Sequence, residues 1–282
     1  MTVQCAPHIT ILLATYNWPR ALELCLKSLS AQTDQGFDVI IADDGSTVET
    51  RALIQTLQAH LPFNITHLWH EDLGFRKSKI LNLAIAAARG EYLIFLDGDC
   101  IVQPDFVAQH RSLAKQNQLI TGSRILLSQA LTERFCASNE LPPCLKTMRG
   151  QLGQLPRLRG LFELTQLRLS SDLNKLLPLV LKLPAHPFRN YPKHFWKRIK
   201  GCNMACWRQD AQRVCGFDES FEGWGHEDAD FVFRLEDVGI QRASGSFATE
   251  VFHLWHPSQP SDKALINKNR VLQRISKHLQ QL

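Results

Sequence analysis

The strongest constraint on the fold is a regular alternation of short apolar runs with helical patterns over the first hundred residues. Four apolar runs predict strands, at Ile9–Ala14, Val39–Ala42, Phe63–Trp69 and Tyr92–Leu96. A helix is predicted after each of the first three, because apolar residues recur three or four positions apart from Leu22, Leu53 and Ile80 onward, the last stopping near Gly90. Strands joined by helices run parallel through crossover connections, so the sequence predicts an α/β fold with a mostly parallel sheet covered by helices.

The composition excludes several other classes of protein. With 282 residues, 44% of them hydrophobic, the chain can build one large or two small domains, which excludes a disordered polymer. A net charge of +5 is too small for general nucleic-acid binding, so no nucleic-acid partner is expected. The eight cysteines include no C-x-x-C pair, and the sequence has neither a signal peptide nor an apolar stretch of the ~18 residues that a membrane span needs. We therefore expect a cytoplasmic protein, and reduced cysteines are favoured over the alternative of an oxidised disulfide framework.

Small polar and acidic residues follow three of the predicted strands. They are Thr15-Tyr16-Asn17, Asp43-Asp44-Gly45-Ser46 and Asp97-Gly98-Asp99. Each group alone is also typical of a turn, because Asp, Gly, Asn and Ser are common turn formers. In open parallel sheets, however, ligands bind beyond the carboxyl ends of the strands, so the three groups together favour a binding site at one edge of the sheet.

The pair Asp97 and Asp99 has the clearest chemical logic. Residues i and i+2 of an extended segment point to the same side, so both carboxylates face one ligand across a glycine. Two close carboxylates repel each other unless a positive charge lies between them, and a divalent cation with oxygen ligands supplies that charge. The D-x-D pattern is frequent by chance, but its position directly after an apolar strand favours a metal site.

These motifs resemble a known family. HITILLATYN, VIIADDGS and GFRKSKILNLAIAAARGEYLIFLDGDC resemble the amino-terminal half of family 2 glycosyltransferases, and GCNMACWRQDAQRVCGFDESFEGWGHEDADFVFRL resembles the carboxyl-terminal part of the galactosyltransferase and chondroitin-polymerase branch. The resemblance covers about 1–125 and 200–256. It implies the GT-A fold, which is Rossmann-like, and an inverting, metal-dependent transfer of a sugar from a nucleoside diphosphate.

By this resemblance, the first half of the chain binds the donor. The residues implied to line the nucleotide pocket are Thr15, Tyr16 and Asn17, with Asp43 and Asp44 on the base, Asp97 on the ribose or in the metal shell, and Asp99 on Mn²⁺ or Mg²⁺. Three cations, Arg76, Lys77 and Lys79, lie where they either face the diphosphate or form an exposed basic start of a helix. Family members often have an arginine before the asparagine equivalent to Asn82, whereas this chain has Leu81.

The segment Gly223–Asp228 joins an aromatic residue between two glycines to two carboxylates at the start of a helix predicted over Glu227–Val238. Sugars stack on aromatic rings, which suits Trp224 to sugar binding. Glu227 and Asp228 are explained either by the helix dipole, which stabilises anions at this end, or by proton transfer from an acceptor hydroxyl. The resemblance implies that Asp228 is the general base and that Glu227 binds the acceptor or donor sugar.

Two histidines follow a strand predicted over Ala248–Phe252. Family members place a histidine metal ligand after this strand, and a neutral imidazole suits Mn²⁺. His253 and His256 are both candidates, and His253 is favoured because it directly follows the apolar run.

Two other functions remain open at this point. A metal-dependent nucleotidyltransferase also uses paired carboxylates on a parallel sheet, and a carbohydrate- or nucleotide-binding module without activity would keep part of the site. The Gly-Trp-Gly-His-Glu-Asp segment and the late histidines favour sugar transfer. We expect a nucleotide sugar, UDP-linked, as donor and a glycan or lipid-linked acceptor from surface polysaccharide synthesis.

The basic charge is concentrated in one segment. Residues 151–200 contain ten Lys and Arg against two acidic residues, a net charge of +8, so the rest of the chain is mildly acidic. This segment is either a solvated loop region or a surface for peripheral contact with an anionic membrane. The predicted organisation is a nucleotide-sugar-binding half at 1–125, a basic Leu/Pro-rich insertion at 126–200, an acceptor-binding and catalytic portion at 201–260, and a C-terminal helix at 261–282.

Overall fold

A computed structural model of the chain describes residues 6–141, 165–183, 187–195, 198–257 and 263–281. The strands within these ranges are β1 (Ile9–Thr15), β2 (Phe37–Asp43), β3 (Ile65–Trp69), β4 (Tyr92–Asp97), β5 (Cys100–Val102), β6 (Gln118–Thr121), β7 (Arg124–Leu126), β8 (Asn203–Trp207), β9 (Gln241–Ser244) and β10 (Val251–His253). The helices are α1 (Pro19–Ser30), α2 (Val48–Gln58), α3 (Lys77–Ala87), α4 (Phe106–Leu113), α5 (Gln129–Ser138), α6 (Leu177–Val180), α7 (Arg208–Arg213), α8 (Glu227–Asp237) and α9 (Ala264–Gln281).

The central sheet has the strand order β3-β2-β1-β4-β8-β6-β9. The first four strands of this order pair in parallel, β8 pairs antiparallel with both β4 and β6, and β9 pairs parallel with β6. A small second sheet has the order β5-β10-β7. The predicted α/β architecture with a mostly parallel sheet is therefore confirmed, with one antiparallel strand inserted between β4 and β6.

The apolar runs are continuous because the central strands are buried on both faces. Along β1, Ile9, Ile11 and Leu13 pack into one core with helices α1 and α2, whereas Leu12 and Ala14 pack into a second core with α3 and α8. Every residue of β1 is buried. The two cores hold the carboxyl ends of the parallel strands at a fixed edge of the sheet, where the polar residues lie.

Several predicted boundaries differ from the structure by a few residues. Strand β3 begins at Ile65 rather than Phe63, and α3 ends at Ala87, three residues before the predicted stop at Gly90. Gly90 has a different role, since a Cβ there would lie 2.6 Å from the backbone nitrogen of Thr10. The steric limit at Gly90 is therefore the close approach of two backbones, not a helix end.

The predicted strand Ala248–Phe252 is shifted to β10, Val251–His253. The nitrogens of Ala248 and Thr249 donate to the carbonyl oxygen of Gly245, at 3.0 and 2.9 Å. These bonds form a turn that the apolar pattern does not distinguish from a strand. As a result His253 is the last residue of β10 rather than the first residue after the strand.

No helix in the described ranges is both long enough and apolar enough to cross a membrane. All cysteines in these ranges are free thiols, and Cys25, Cys100, Cys202 and Cys206 are buried. The division of the chain into four functional portions stays a prediction.

Candidate active site

The three polar groups predicted from the strand ends lie at one edge of the sheet. Thr15 pairs with Asp43 in the parallel register of β1 and β2, and Ala14 pairs with Asp97 in that of β1 and β4. The nitrogen of Gly98 donates to the carbonyl oxygen of Ala14 at 2.7 Å. The acidic turn after β4 is therefore fixed directly beside the end of β1.

The loops after β1 and β2 are tied to each other through Asn17. Its backbone nitrogen donates to Ser46 Oγ at 2.9 Å, and its Oδ1 accepts from the nitrogen of Thr47 at 2.8 Å. The neighbouring side chain of Tyr16 is about half exposed, and its hydroxyl donates to Asp72 Oδ2 at 2.9 Å. An exposed aromatic ring held by its hydroxyl is suited to stack on a planar base.

Asp43 and Asp44 are buried and bond mainly within the protein. Asp43 Oδ1 accepts from the nitrogen of Ser46 at 2.8 Å, and Oδ2 lies 2.9 Å from His67 Nε2. Asp44 Oδ1 lies 2.7 Å from His70 Nε2, and burial raises the pKa of the Asp44 carboxyl. Both carboxylates therefore brace the edge of the site, and binding of the base by them stays a prediction.

His67 and His70 were missed as partners of these carboxylates. A signal was present, because polar residues on and just after a strand adjacent to β2 are well placed to reach the acidic end of β2.

The three predicted cations differ in what they contact. Lys77 Nζ lies 2.5 Å from Asp97 Oδ1. Burial alone would lower the pKa of Lys77, but the carboxylates of Asp97 and Glu227 outweigh it and raise that pKa above its ordinary value. Arg76 donates to the carbonyl oxygen of Glu71, and the side chain of Lys79 is exposed. Lys77 is therefore the cation that joins the D-x-D turn to the carboxylates of the second half.

The presence of Leu81, where family members often have an arginine, has a structural explanation. Leu81 is 3% exposed and packs in the second core, so a side chain here does not face a ligand. Asn82 itself holds the segment after α7, because its Oδ1 accepts from the nitrogen of Phe217 at 2.7 Å.

Asp99, His253 and His256 form a cluster whose candidate ligand atoms all lie within 4.8 Å of one another. Asp99 Oδ2 is 3.6 Å from His253 Nε2 and 3.3 Å from His256 Nε2. The Nδ1 atoms of the two histidines lie 2.8 and 2.9 Å from the carbonyl oxygens of Leu254 and Pro257. The bond to Leu254 occupies Nδ1 of His253 and leaves its Nε2 on the side of the carboxylate, whereas Nε2 of His256 donates to Asp99.

The charge states of Asp99 and His253 fit a metal site, whereas the hydrogen bond to Asp99 raises the pKa of His256, which must lose its Nε2 proton before it binds a cation. Burial lowers the pKa of His253, which favours the neutral ring that binds metals. Burial acts to raise the pKa of Asp99, but the hydrogen bond from His256 and the two nearby rings hold it below its usual range. One ionised carboxylate and two imidazole nitrogens are a donor set that Mn²⁺ accepts. The residues present therefore fit the predicted divalent cation, and both histidines, not one, reach Asp99.

The loop before α8 presents the predicted sugar-binding aromatic residue. Trp224 is about half exposed, between Gly223 and Gly225, whose φ angles are +73° and +113°. Residues with side chains rarely adopt the angle of Gly225, so this glycine is needed for the loop to turn. The exposed indole ring is consistent with the prediction that Trp224 stacks on a sugar.

Glu227 and Asp228, at the start of α8, have different environments. Glu227 is buried, and its Oε2 accepts from the nitrogen of Gly225 at 3.1 Å. Asp228 is partly exposed, and its Oδ2 accepts from the nitrogen of Gly201 at 2.8 Å. Asp228 is thus the more exposed of the two carboxylates, and its role as the base stays a prediction.

The segment Gly201-Cys202 joins the two halves of the site. Gly201 bonds to Asp228, and the sulfur of the next residue, Cys202, lies within 4.8 Å of a ring nitrogen of His253. The candidate base and the candidate metal ligands are therefore neighbours across this segment.

Helix α9 holds the loop that carries Trp224. Asn267 Nδ2 donates to the carbonyl oxygen of Glu222 at 3.2 Å, and Arg274 lies 2.8 Å from both Asp218 and Asp230. Val271 packs against Phe221 and Ala229 in a separate small core. The sequence patterns do not indicate this contact between the C-terminal helix and the acidic start of α8.

The buried carboxyl of Glu227 leads to a stability prediction. Burial, reinforced by the carboxylate of Asp228, raises the pKa of Glu227 from its ordinary value of 4.5 to about 7. The folded state therefore holds this proton to higher pH than the unfolded chain, and the free energy of unfolding falls as pH rises from about 4.5 to about 7. Glu227→Gln removes this ionisation. We therefore expect the free energy of unfolding of the variant at pH 8 to exceed that of the native chain by up to about 3 kcal/mol.

Urea unfolding at pH 5 and pH 8 measures the effect. At pH 5 the two proteins should differ little, since Glu227 is protonated there. Glu91→Gln, at an exposed position, is the matched control and should show no gain that depends on pH. An equal difference between Glu227→Gln and the native chain at both pH values would contradict the assignment.

Four of the basic residues in the segment 151–200 bond inward. Lys175 Nζ donates to Ser123 Oγ at 2.9 Å, Lys182 Nζ to Gln103 Oε1 at 3.0 Å, and Arg189 Nη1 to two backbone carbonyl oxygens. Arg168 donates to the carbonyl oxygen of Leu173. Arg157, Arg159 and Lys197 lie outside the described residues. These four cations thus brace the protein, and contact of this segment with an anionic membrane stays a prediction.

Comparison with known structures gives the fold class of the protein. The chain is similar to a mannosyltransferase from Pyrobaculum calidifontis solved in complex with GDP-Man and Mn²⁺, with a TM-score of 0.59 at 16% identity, over 98% of this chain and 65% of that one. The fold is GT-A, a glycosyltransferase fold.

Sequence comparison then gives the family. The sequence profile described as "Glycosyl transferase family 2" matches residues 10–163, and the profile described as "N-terminal domain of galactosyltransferase" matches residues 186–257. The chain belongs to glycosyl transferase family 2.

Two curated relatives illustrate the range of the family. The validoxylamine A glucosyltransferase of Streptomyces hygroscopicus subsp. jinggangensis is 26% identical over 83% of this chain and 52% of its own length. The chondroitin synthase of Escherichia coli is 25% identical over 82% of this chain and 32% of its own length. The chain therefore spans about half of the first relative and about a third of the second.

Proposed function

We propose that the chain is an inverting, metal-dependent glycosyltransferase. It transfers a hexose or N-acetylhexosamine from a nucleoside-diphosphate sugar, with UDP as the nucleotide, to a hydroxyl of a glycan or lipid-linked acceptor in surface polysaccharide synthesis. The observation that carries this proposal is the juxtaposition of Asp228 with the Asp99, His253 and His256 cluster through Gly201 and Cys202. A base beside a site for an anionic leaving group is what sugar transfer requires.

The reaction is a single in-line displacement at the anomeric carbon. Asp228 accepts the proton of the acceptor hydroxyl while the oxygen of that hydroxyl forms a bond to the anomeric carbon. On the opposite side of that carbon, the bond to the diphosphate oxygen breaks, and the diphosphate leaves with the bonding electrons. The configuration at the anomeric carbon is inverted because attack and departure occur on opposite faces.

The remaining residues position the reactants. Tyr16 and Asn17 lie on the loops that face the nucleotide, and Trp224 offers an apolar face to a sugar. Lys77, held against Asp97, keeps a positive charge beside the D-x-D turn. Asp99, His253 and His256 would hold a divalent cation, which would supply positive charge to neutralise the leaving diphosphate. The cation named with the mannosyltransferase structure is Mn²⁺, which supports the choice of metal.

Incubation of the purified chain with radiolabelled nucleotide sugars and Mn²⁺ tests the proposal. The panel contains UDP-hexoses, UDP-N-acetylhexosamines and GDP-mannose, and a preceding thermal-shift screen selects the donor, since a bound ligand raises the melting temperature. We expect slow hydrolysis of one UDP-sugar to free sugar and UDP, which stops when the metal is chelated.

Other products would overturn the proposal in a defined way. Release of a sugar phosphate would mean that the bond between the two phosphates is cleaved, as in nucleotidyl or phosphoryl transfer. Binding without turnover, in the presence of acceptor glycans, would identify a module without catalytic activity. Hydrolysis of GDP-mannose alone would refute UDP as the nucleotide.

A further inference from the structure

A second cluster of metal-binding side chains lies beside the candidate active site. The candidate ligand atoms of Cys100, Cys202 and His253 all lie within 4.8 Å of one another. The three residues are 0%, 3% and 8% exposed. Two sulfurs and an imidazole are thus brought together in the interior, and neither cysteine has a part in sugar transfer.

The fold fixes these side chains on three separate elements. Cys100 is the first residue of β5 and pairs with His253 of β10 in the antiparallel register. Cys202 directly precedes β8. Its neighbour Gly201 is fixed because its nitrogen donates to Asp228 Oδ2. Both cysteines are free thiols. Since the three backbones are held by different strands, the cluster is a preformed arrangement rather than a chance meeting of flexible side chains.

The donor atoms select a different metal from the one that suits the neighbouring cluster. Thiolates favour Zn²⁺ and similar thiophilic cations over Mn²⁺, whereas the neighbouring cluster of one carboxylate and two imidazoles has no sulfur ligand. A fourth donor for tetrahedral zinc is within reach, because Asp99 Oδ1 lies 3.5 Å from Cys100 Sγ. The complete set would be two sulfurs, one nitrogen and one oxygen.

The two clusters share His253. Its Nδ1 lies 2.8 Å from the carbonyl oxygen of Leu254, so Nε2 is the ring nitrogen available to a metal. One lone pair on Nε2 binds one cation at a time. Occupation of the sulfur cluster therefore removes a ligand from the Asp99, His253 and His256 cluster.

We propose that Cys100, Cys202 and His253, with Asp99 as fourth donor, form a site for Zn²⁺ or a similar thiophilic cation, and that its occupation excludes the cation used in sugar transfer. Binding converts two thiols to thiolates, and their two protons pass to the solvent. The exclusion rests on the proposed function, but the existence of the site does not.

Titration of the full chain with Co²⁺, without nucleotide and under reducing conditions, tests the site itself. Cobalt stands in for zinc because its bonds to thiolates give an intense charge-transfer absorption in the near ultraviolet. We expect this absorption in the native chain, and a loss of cobalt affinity of at least about tenfold in Cys202→Ala and in Cys100→Ala, since even partners outside the ligand shell contribute about 10–100-fold. Cys206→Ala, a buried cysteine of β8 outside the cluster, is the matched control and should behave as the native chain.

Two results would overturn the site. One is an absence of the charge-transfer band in the native chain, and the other is an unchanged band in both Cys202→Ala and Cys100→Ala. The two variants are made separately so that a folding defect in one leaves the other to decide.

Inhibition by Zn²⁺ tests the exclusion. With saturating Mn²⁺ and donor, Zn²⁺ should lower the hydrolysis or transfer rate of the native chain at least about tenfold more strongly than that of Cys202→Ala. Equal inhibition of the two proteins would refute exclusion through this site. If neither protein has activity with any donor, the proposed function fails, and the cobalt spectra still decide whether the sulfur site exists.

Discussion

Asp228→Asn should lower the turnover number for sugar transfer by roughly 10²–10⁴-fold, the range that a positioned general base contributes. The amide oxygen of asparagine can still accept the bond from Gly201 that Asp228 Oδ2 accepts at 2.8 Å, so the start of α8 keeps its geometry. The amide cannot take the proton of the acceptor hydroxyl. Because the proposed nucleotide site lies at the ends of β1, β2 and β4, the affinity for donor should stay near that of the native chain. Steady-state transfer rates and calorimetric titration with the nucleotide measure the two effects.

Asp237→Asn is the matched control for this variant. It makes the same chemical change at the last residue of the same helix, where the carboxylate lies 3.7 Å from His194 rather than beside Gly201. It should keep turnover near that of the native chain. Near-normal turnover of Asp228→Asn would show that another group takes the proton, and Glu227 would then be the next residue to test.

The position of the site could be predicted from sequence because it depends on local patterns. Continuous apolar runs indicate strands buried on both faces, and parallel strands bring their carboxyl ends to one edge. Asp99 could be assigned to this edge because it directly follows such a run. His253 could be added only through the resemblance to a family, since no pattern in the sequence pairs β10 with β5.

The antiparallel strand β8 could not be predicted from its own residues. The apolar run Met204–Trp207 is only four residues long and fits a buried helix as well as a strand, and the pairing of β8 with β4 and β6 depends on strands distant in sequence. The same limit applies to the bonds that α9 makes to the loop before α8. Such contacts depend on how elements pack in three dimensions, which periodicity does not record.

The chemical roles of the acidic residues were only partly predictable. Sequence places Asp43 and Asp44 at the correct edge, but their carboxylates bond to Ser46, His67 and His70, partners supplied by the next loop and strand. The identity of a residue and its position at a strand end predict proximity to a ligand. Whether its oxygens face the ligand or the protein depends on neighbours that only the folded chain brings near.

Asp99→Asn should remove both metal binding and metal-dependent donor binding. In the native chain, Asp99 Oδ2 lies 3.6 and 3.3 Å from the Nε2 atoms of His253 and His256. The variant keeps the two imidazoles but has no anionic ligand. We expect the affinity for Mn²⁺ to fall roughly 100-fold or more, beyond the 10–100-fold that loss of an outer partner costs. The electron paramagnetic resonance signal of free Mn²⁺ measures this affinity, and calorimetry measures donor binding with and without metal.

This result separates the metal ligand from the base, because Asp228→Asn should lose turnover with donor binding intact, whereas Asp99→Asn should lose both. Asp105→Asn is the matched control, since Asp105 lies on the other side of β5 in the sequence and its carboxylate is 3.6 Å from Lys182 rather than beside the histidines. It should bind Mn²⁺ and donor as the native chain does. If Asp99→Asn bound Mn²⁺ as tightly as that control, the cluster of Asp99, His253 and His256 would not be the site of the cation, and Asp97 with the donor diphosphate would have to hold it instead.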